Sequence, residues 1–303
     1  MKVFVTGGTG AIGRFVVPVL VEAGHDVTAL ARGDDKAAWV ESQGARAAQI
    51  SLFDVGQLTS AFAGHDVVAN LATAIPPTKD ALKASAWEMN TRIRTEGSNA
   101  VVDAALAAGV PRLIQESISF TYADSGDRWL DESEPIDLPP GFDAMAVAEA
   151  NANRFTEAGH VGIVLRFGFF YGPGSAHTEE AIRLARLHLG PVAGAPHAYQ
   201  SSIHLADAAA AVLAALDAPA GVYNVVDDQP LTKKEYAQAV GSAVGVKPWV
   251  DLPGRLARAG GKKTDILTRS TRVSNEKFKK ATGWSPKYPS AREGWEAMEA
   301  IDA

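Results

Sequence analysis

The tightest constraint on this chain lies at its N-terminal end. An apolar run, Lys2-Val3-Phe4-Val5, meets Thr6-Gly7-Gly8-Thr9-Gly10-Ala11-Ile12-Gly13, and Arg14-Phe15-Val16-Val17 follows. A Gly-x-Gly-x-x-Gly series between a strand and a helix is the setting in which this spacing binds a dinucleotide. Gly8 is expected to permit the tight turn. Gly10 lets the backbone approach a pyrophosphate, and Gly13 lets helix and strand pack closely. The free N–H groups and positive dipole end of the helix then face the phosphates. Gly7, Gly10, Ala11, Ile12 and Gly13 are the expected phosphate-binding residues.

Strand-like and helix-like segments alternate from there on. Further strands are expected at Val27–Ala31, Ala45–Ile50, Asp66–Ala72, Arg112–Glu116 and Gly162–Arg166, and a long helix at about Trp87–Ala108. Such alternation builds βαβ units with right-handed crossovers. The outcome is α/β: a Rossmann-type doubly wound parallel sheet covered on both faces. Residues 1–170 form the expected dinucleotide-binding core. Residues 171–303 form a smaller, less regular substrate-binding region, of which Ile203–Val226 returns to the core. Helices are expected there at Thr178–Leu189, Ile203–Leu216, Thr232–Val244 and Glu276–Thr282, with a strand at Val222–Val226. Thr232 and Glu235 have capping-box spacing. The basic stretch Arg255–Lys263 reads as a surface loop.

Bulk properties narrow the function classes. A net charge of -6 argues against a nucleic-acid or anionic-membrane surface. The absence of Cys removes disulfide and thiolate chemistry. No cluster has metal-ligand spacing. No apolar run is long enough to span a bilayer and no signal pattern precedes the first strand, so a cytoplasmic location is expected.

The second strand sets the cofactor preference. An acidic residue at its tip would hold the ribose 2′-hydroxyl of NAD. The tip reads Ala31-Arg32-Gly33, with Asp34 and Asp35 beyond the glycine. Arg32 instead suits a 2′-phosphate, because guanidinium offers bidentate charge-assisted bonds. NADP is the expected cofactor.

These residues resemble the extended short-chain dehydrogenase/reductase group, the NAD-dependent epimerase/dehydratase family. Beside the glycine motif, Asn70-Leu71-Ala72 is similar to the segment that lies along the cofactor, and Asn90 to the family's helix asparagine. Arg166-Phe167-Gly168-Phe169-Phe170-Tyr171-Gly172-Pro173-Gly174 is similar to the family's R-P-x-x-x-Y-G-P-G stretch. Ile203-His204-Leu205-Ala206-Asp207, Tyr223-Asn224-Val225 and Thr282-Gly283-Trp284-Ser285-Pro286 match later landmarks. The resemblance places Leu52, Leu71, Ala72 and Asn90 against the cofactor, with Ser51 where the family usually has an Asp on the adenine. It also implies a small-molecule substrate and a homodimer through helices at about 87–108 and 143–158.

The resemblance fails where the chemistry should be. The family uses a Tyr and a Lys four residues apart, the ammonium lowering the phenol pKa for proton exchange. With Glu149 as the family's following Glu, Met145 stands at the Lys and Gly141 at the Tyr. No register restores the pair, since no Lys occurs between Lys83 and Lys233 and no Tyr between Tyr122 and Tyr171. The orienting Ser falls on Ile118, flanked by Ser117 and Ser119. The candidates left are Ser117 or Ser119 lining the site, Tyr122 as proton donor, and Glu116 as a carboxyl acid or base. His204 reads as structural and His177 as a loop residue. The apolar loop Phe167–Tyr171, with Trp129 and Phe142, favours an apolar ligand.

Three functions fit. The first is an NAD(P)-dependent oxidoreductase or epimerase-like protein acting on a small carbonyl, sugar-derived or natural-product substrate with non-standard acid/base residues. The second is a non-catalytic NADP-binding sensor or regulator. The third is a non-redox isomerase or lyase on the same scaffold.

Overall fold

A computed structural model describes residues 1–77, 80, 83–138, 142–190, 192, 194–247 and 268–302. Gly141 and Arg255–Lys263 lie outside the described residues. The N-terminal half alternates β1 (Lys2–Thr6), α1 (Gly13–Glu22), β2 (Asp26–Leu30), α2 (Asp34–Ser42), β3 (Arg46–Ala48), α3 (Val55–Phe62) and β4 (Val67–Asn70). A 3-10 turn at Ala84–Trp87 leads into α4 (Glu88–Arg92), a π-helical turn (Ile93–Gly97) and α5 (Ser98–Ala107). The long helix expected there is present, but it changes pitch midway. Next come β5 (Arg112–Ile118), β6 (Trp129–Leu130), α6 (Asp143–Glu157), β7 (Val161–Phe167), β8 (Phe169–Tyr171) and α7 (Ala176–Arg186). The remainder is β9 (Tyr199–Gln200), β10 (Ser202–His204), α8 (Leu205–Ala215), β11 (Gly221–Val225), β12 (Leu231–Thr232), α9 (Lys233–Ala243), β13 (Arg272–Val273), α10 (Glu276–Thr282) and α11 (Ala291–Asp302).

Seven parallel strands form one sheet in the order β11-β7-β5-β4-β1-β2-β3. This is the expected Rossmann-type doubly wound fold. Alternate residues of each strand point to opposite faces. Val3, Val5, Ala69, Ile114 and Leu165 share one cluster with Val16 of α1 and Val212 of α8. Phe4, Val68, Leu113 and Val164 share the other with Leu58 of α3, Val101 of α5 and Phe155 of α6. Burial on both faces is why the strands read as unbroken apolar runs. Each fully buried Val, Leu or Phe contributes about 1.5–3 kcal/mol. A separate cluster of Tyr171, Ala185, Tyr236, Val240 and Trp295 joins β8, α7, α9 and α11.

Two helix ends follow the sequence. Thr232 and Glu235 close a reciprocal capping box at α9, and Gly283 ends α10 in the left-handed conformation. The helix expected from Ile203 starts instead at Leu205, because Ser202–His204 pairs with β8 as a parallel strand. His204 becomes the N-cap, its ring accepting the Ala206 N–H at 3.2 Å. Burial holds the imidazole down at about 4, helped by nearby Lys287.

β11 is an edge of the sheet, and charged side chains occupy its outward groups. The Asn224 N–H donates to Glu132 Oε1 at 2.7 Å, and Lys277 Nζ donates to the Val222 carbonyl at 2.8 Å. The opposite edge, β3, is only three residues long, and its Arg46 pairs with Asp26 of β2 at 2.6 Å.

Candidate active site

The first turn forms a cradle that side chains would fill. Gly7 has φ +69°, and a Cβ there would lie 2.6 Å from the Leu71 carbonyl oxygen at the end of β4. A Cβ on Gly13 would lie 2.2 Å from the Gly7 oxygen, so α1 can start this close to the turn only with glycine. The Gly10 N–H donates to the Gly7 carbonyl at 2.9 Å and closes the turn. The division of labour differs from expectation at one position. The left-handed conformation belongs to Gly7, while Gly8 is required because Ala29 Cβ would stand 2.8 Å from its own Cβ.

Beneath the cradle, three neighbouring strands are tied by buried polar groups. Thr6 Oγ1 donates to Asn70 Oδ1 at 2.5 Å, and Asn70 Nδ2 donates to Gln115 Oε1 at 2.8 Å. Asn90 is buried, and its Oδ1 accepts the Ala74 N–H at 3.1 Å, anchoring the segment after β4. Leu52 and Leu71 are buried, Ala72 is half-buried, and Gly97 packs against Leu52. Arg32 is exposed just beyond β2. The cradle, the open N-terminus of α1 and the Leu52 wall together fit a dinucleotide. Gly7, Gly10, Ala11, Ile12 and Gly13 would take the pyrophosphate, and Arg32 stands at the ribose end of β2.

The candidate chemical groups separate sharply. Glu116 is 3% exposed and bound to Arg94, whose Nη2 lies 2.7 Å from Oε2. Burial raises the Glu116 pKa above its ordinary value, against the pull of Arg94. Arg94 enters the core from the π-helical turn, and its Nε and Nη1 find no partner among the described residues. Ser117 does not line an open site: its Oγ donates to Glu149 Oε1 at 2.6 Å. Glu149 also takes Arg166 through two bonds, Nε to Oε1 at 2.9 Å and Nη2 to Oε2 at 2.7 Å.

Tyr122 joins the same network. Its hydroxyl donates to Asn224 Oδ1 and accepts from Arg166 Nη1, both at 2.9 Å, and the side chain is fully buried. Burial pushes the phenol pKa up, against Arg166. This departs from the expectation of a proton donor facing the ligand, because the only phenolic hydrogen is committed to Asn224. Ser119 is the exception among the candidates: it is buried, and its Oγ has no partner among the described residues. Met145 is buried in the first turn of α6, and Ile118 ends β5.

Aromatic side chains gather where strands end and helices begin. Phe120 stacks on Phe169 with centroids 4.1 Å apart and planes 16° from parallel. Trp87 meets Phe142 at 5.8 Å. Trp129, grouped with Phe142 by proximity in sequence, packs elsewhere, its ring 4.3 Å from the Arg272 guanidinium. The part of Arg94 was not foreseen from sequence. Its one signal is an Arg inside an otherwise core-facing helix. Among the described residues no helix is long and apolar enough to cross a membrane, and no group of three His, Cys, Asp or Glu could hold a metal.

A parallel doubly wound sheet with a glycine cradle at its first crossover defines a Rossmann-type NAD(P)-binding protein. The chain belongs to the NAD(P)H-binding family, whose model matches residues 7–219. It is 33% identical to a 3-diazoavenalumate denitrifying reductase from a Streptomyces species, over 97% of this chain and 99% of that one. The crystal structure of human epimerase family protein SDR39U1 (isoform2) with NADPH superposes with a TM-score of 0.81 at 23% identity, covering 99% of both chains. UDP-glucose 4-epimerase of Thermus thermophilus, complexed with NAD, gives 0.77 at 22% identity and 98% coverage of each. The proteins it resembles thus include reductases and epimerases, with NADPH or NAD.

Proposed function

We propose that the chain is an NADPH-dependent reductase whose acceptor takes a hydride without needing a proton from the protein, and that this acceptor is a diazonium compound. The observation that carries the reading is the fate of the proton-relay positions. Met145 and Ile118 are apolar and buried, and the nearest phenol, Tyr122, has its hydroxyl bonded on both sides. Reducing a carbonyl consumes one hydride and one proton, and a positioned general acid contributes about 10²–10⁴-fold to such a step. A diazonium acceptor balances differently: R–N2⁺ and H⁻ give R–H and N2, with the C–N bond broken and no proton consumed. Bound NADPH supplies the hydride. The chain's own residues bind the dinucleotide at Gly7–Gly13, hold the strands through Thr6, Asn70 and Gln115, and keep the rim apolar through Phe120 and Phe169. The likeness to a denitrifying reductase of a diazo substrate supports the acceptor.

Arg32 supports the choice of NADPH, since it stands exposed past β2 while Asp34 and Asp35 are drawn into the first turn of α2. The reading includes a homodimer through the faces of α4 and α6 that expose Met89 and Val147, which sedimentation measures.

The test uses benzenediazonium as probe beside a panel of ketones, following NADPH absorbance and N2 release. With NADPH deuterated at the transferring carbon, the expected products are N2 and deuterated arene, made faster than with heat-denatured protein. Turnover of ketones with none of the diazonium overturns the acceptor. Tight NADPH binding with no turnover of either favours the sensor, and substrate isomerisation without net NADPH loss favours the isomerase.

A further inference from the structure

We propose that the Phe120–Phe169 stack is a binding platform for a planar aromatic ring, so that the acceptor is an aryl compound; this rests on the reductase reading only in taking the ligand to be the acceptor. The two rings come from the segments that follow two neighbouring parallel strands, β5 and β7. Ile118 ends β5 opposite Phe167, which ends β7; two residues on, Phe120 lies in the 3-10 turn Ser119–Thr121 and Phe169 opens β8. In open α/β sheets this carboxyl end is where ligands bind. Both rings keep partial solvent exposure, although the residues on either side of Phe120, Ser119 and Thr121, are buried. The pair is near-parallel at 4.1 Å, the arrangement that a third planar ring would extend by stacking on an outer face. Such faces favour flat, polarisable partners over saturated rings of equal size.

A second observation places a polar contact beside the platform. Ser119 adjoins Phe120 in the chain, is fully buried, and its Oγ has no partner among the described residues. A buried hydroxyl left so costs free energy unless a ligand group or water meets it. A ring oxygen or hydroxyl substituent would satisfy it. Trp87 and Phe142 add a further pair on the same rim. Trp87 precedes α4 in the crossover from β4 to β5, and Phe142 precedes α6 in the crossover from β5 to β7. Both therefore lie at the carboxyl side of the sheet, and no titratable side chain belongs to either aromatic pair.

Binding, rather than turnover, tests this. Calorimetry on the NADP⁺-loaded protein compares 2-naphthol with decahydro-2-naphthol, which share size and hydroxyl but not planarity. The flat ring is expected to bind about three- to tenfold more tightly. Phe169→Leu and Phe120→Leu should each remove that preference, while Phe169→Tyr keeps it and NADP⁺ affinity stays unchanged in all three. Ser119→Ala should weaken 2-naphthol but not naphthalene. Equal affinity for the flat and saturated rings, or a preference that survives both Leu variants, overturns the proposal. Because no hydride moves, a failure here leaves the reductase reading standing, and failed diazonium turnover leaves the platform standing.

Discussion

Replacing Tyr122 by Phe separates a structural hydroxyl from a catalytic one. The ring is fully buried and would stay in place, so the change removes one oxygen and opens little space. That oxygen serves two buried partners, Arg166 Nη1 and Asn224 Oδ1, each at 2.9 Å. Asn224 Nδ2 already lacks a partner among the described residues, so the amide cannot trade one bond for another. A hydrogen bond to a charged group is worth about 1.5–3 kcal/mol and a neutral one about 0.5–1.5 kcal/mol. Relief of the hydroxyl's own desolvation offsets part of that sum. The expected net loss is about 2–3 kcal/mol, read as a lower urea midpoint at constant slope and a Tm lower by about 3–5 °C. Tryptophan fluorescence follows the unfolding. On the same preparation, kcat for a diazonium acceptor should change by less than about threefold. The reasoning is refuted by unchanged stability together with a kcat loss of about 100-fold or more, the signature of a general acid.

Other outcomes follow from the same structure. Arg32→Ser should weaken NADPH by about 10–100-fold and leave NADH unchanged in fluorescence titrations; equal loss for both would remove the 2′-phosphate role. If no protein proton enters the rate-limiting step, kcat should vary by less than about twofold from pH 6 to 8, and a kcat titrating in that range would point to an acid or base group. Asp227 is buried after β11, where desolvation first, and then Asp207, Asp228 and Glu293, raise its pKa well above the ordinary value. The native state therefore holds this proton after the unfolded chain has released it, so its contribution to stability falls as pH rises from the unfolded value toward the native one. Asp227→Asn should raise the urea midpoint more at pH 8 than at pH 5, and an equal shift at both would refute the linkage.

The sheet was legible because its signals are local. A strand buried on both faces is an apolar run, and the glycine series sits between the first run and the first helix. Even there, chain pattern mistook which glycine bears the unusual backbone conformation, since only the approach of Leu71 distinguishes Gly7 from Gly8. Ile203 and His204 look like the start of an Ala-rich helical run, and with Ser202 they become a strand only by pairing with β8. The site was less legible than the sheet. Glu116, Ser117 and Tyr122 look like loose chemical groups along the chain. Their partners Arg94, Glu149, Arg166 and Asn224 lie 22, 32, 44 and 102 residues away. What distinguishes a reactive side chain from a fastened one is such a partner, and no spacing rule reports it.

The stoppered edge strand also bears on solubility. Glu132 holds the Asn224 N–H only as an acceptor, and burial raises its pKa above the ordinary carboxylate value. Acid would therefore weaken this guard, since the protonated carboxyl is a poorer acceptor than the carboxylate. A sheet so uncovered offers a free row of backbone groups to any extended peptide nearby. Acidification toward the isoelectric point, about 5.7 from the sequence, also removes long-range repulsion between molecules, so the two hazards grow in the same direction. Haze or slow precipitation on acidification would begin at β11, and Glu132→Ala, which removes the acceptor at every pH, should hasten it.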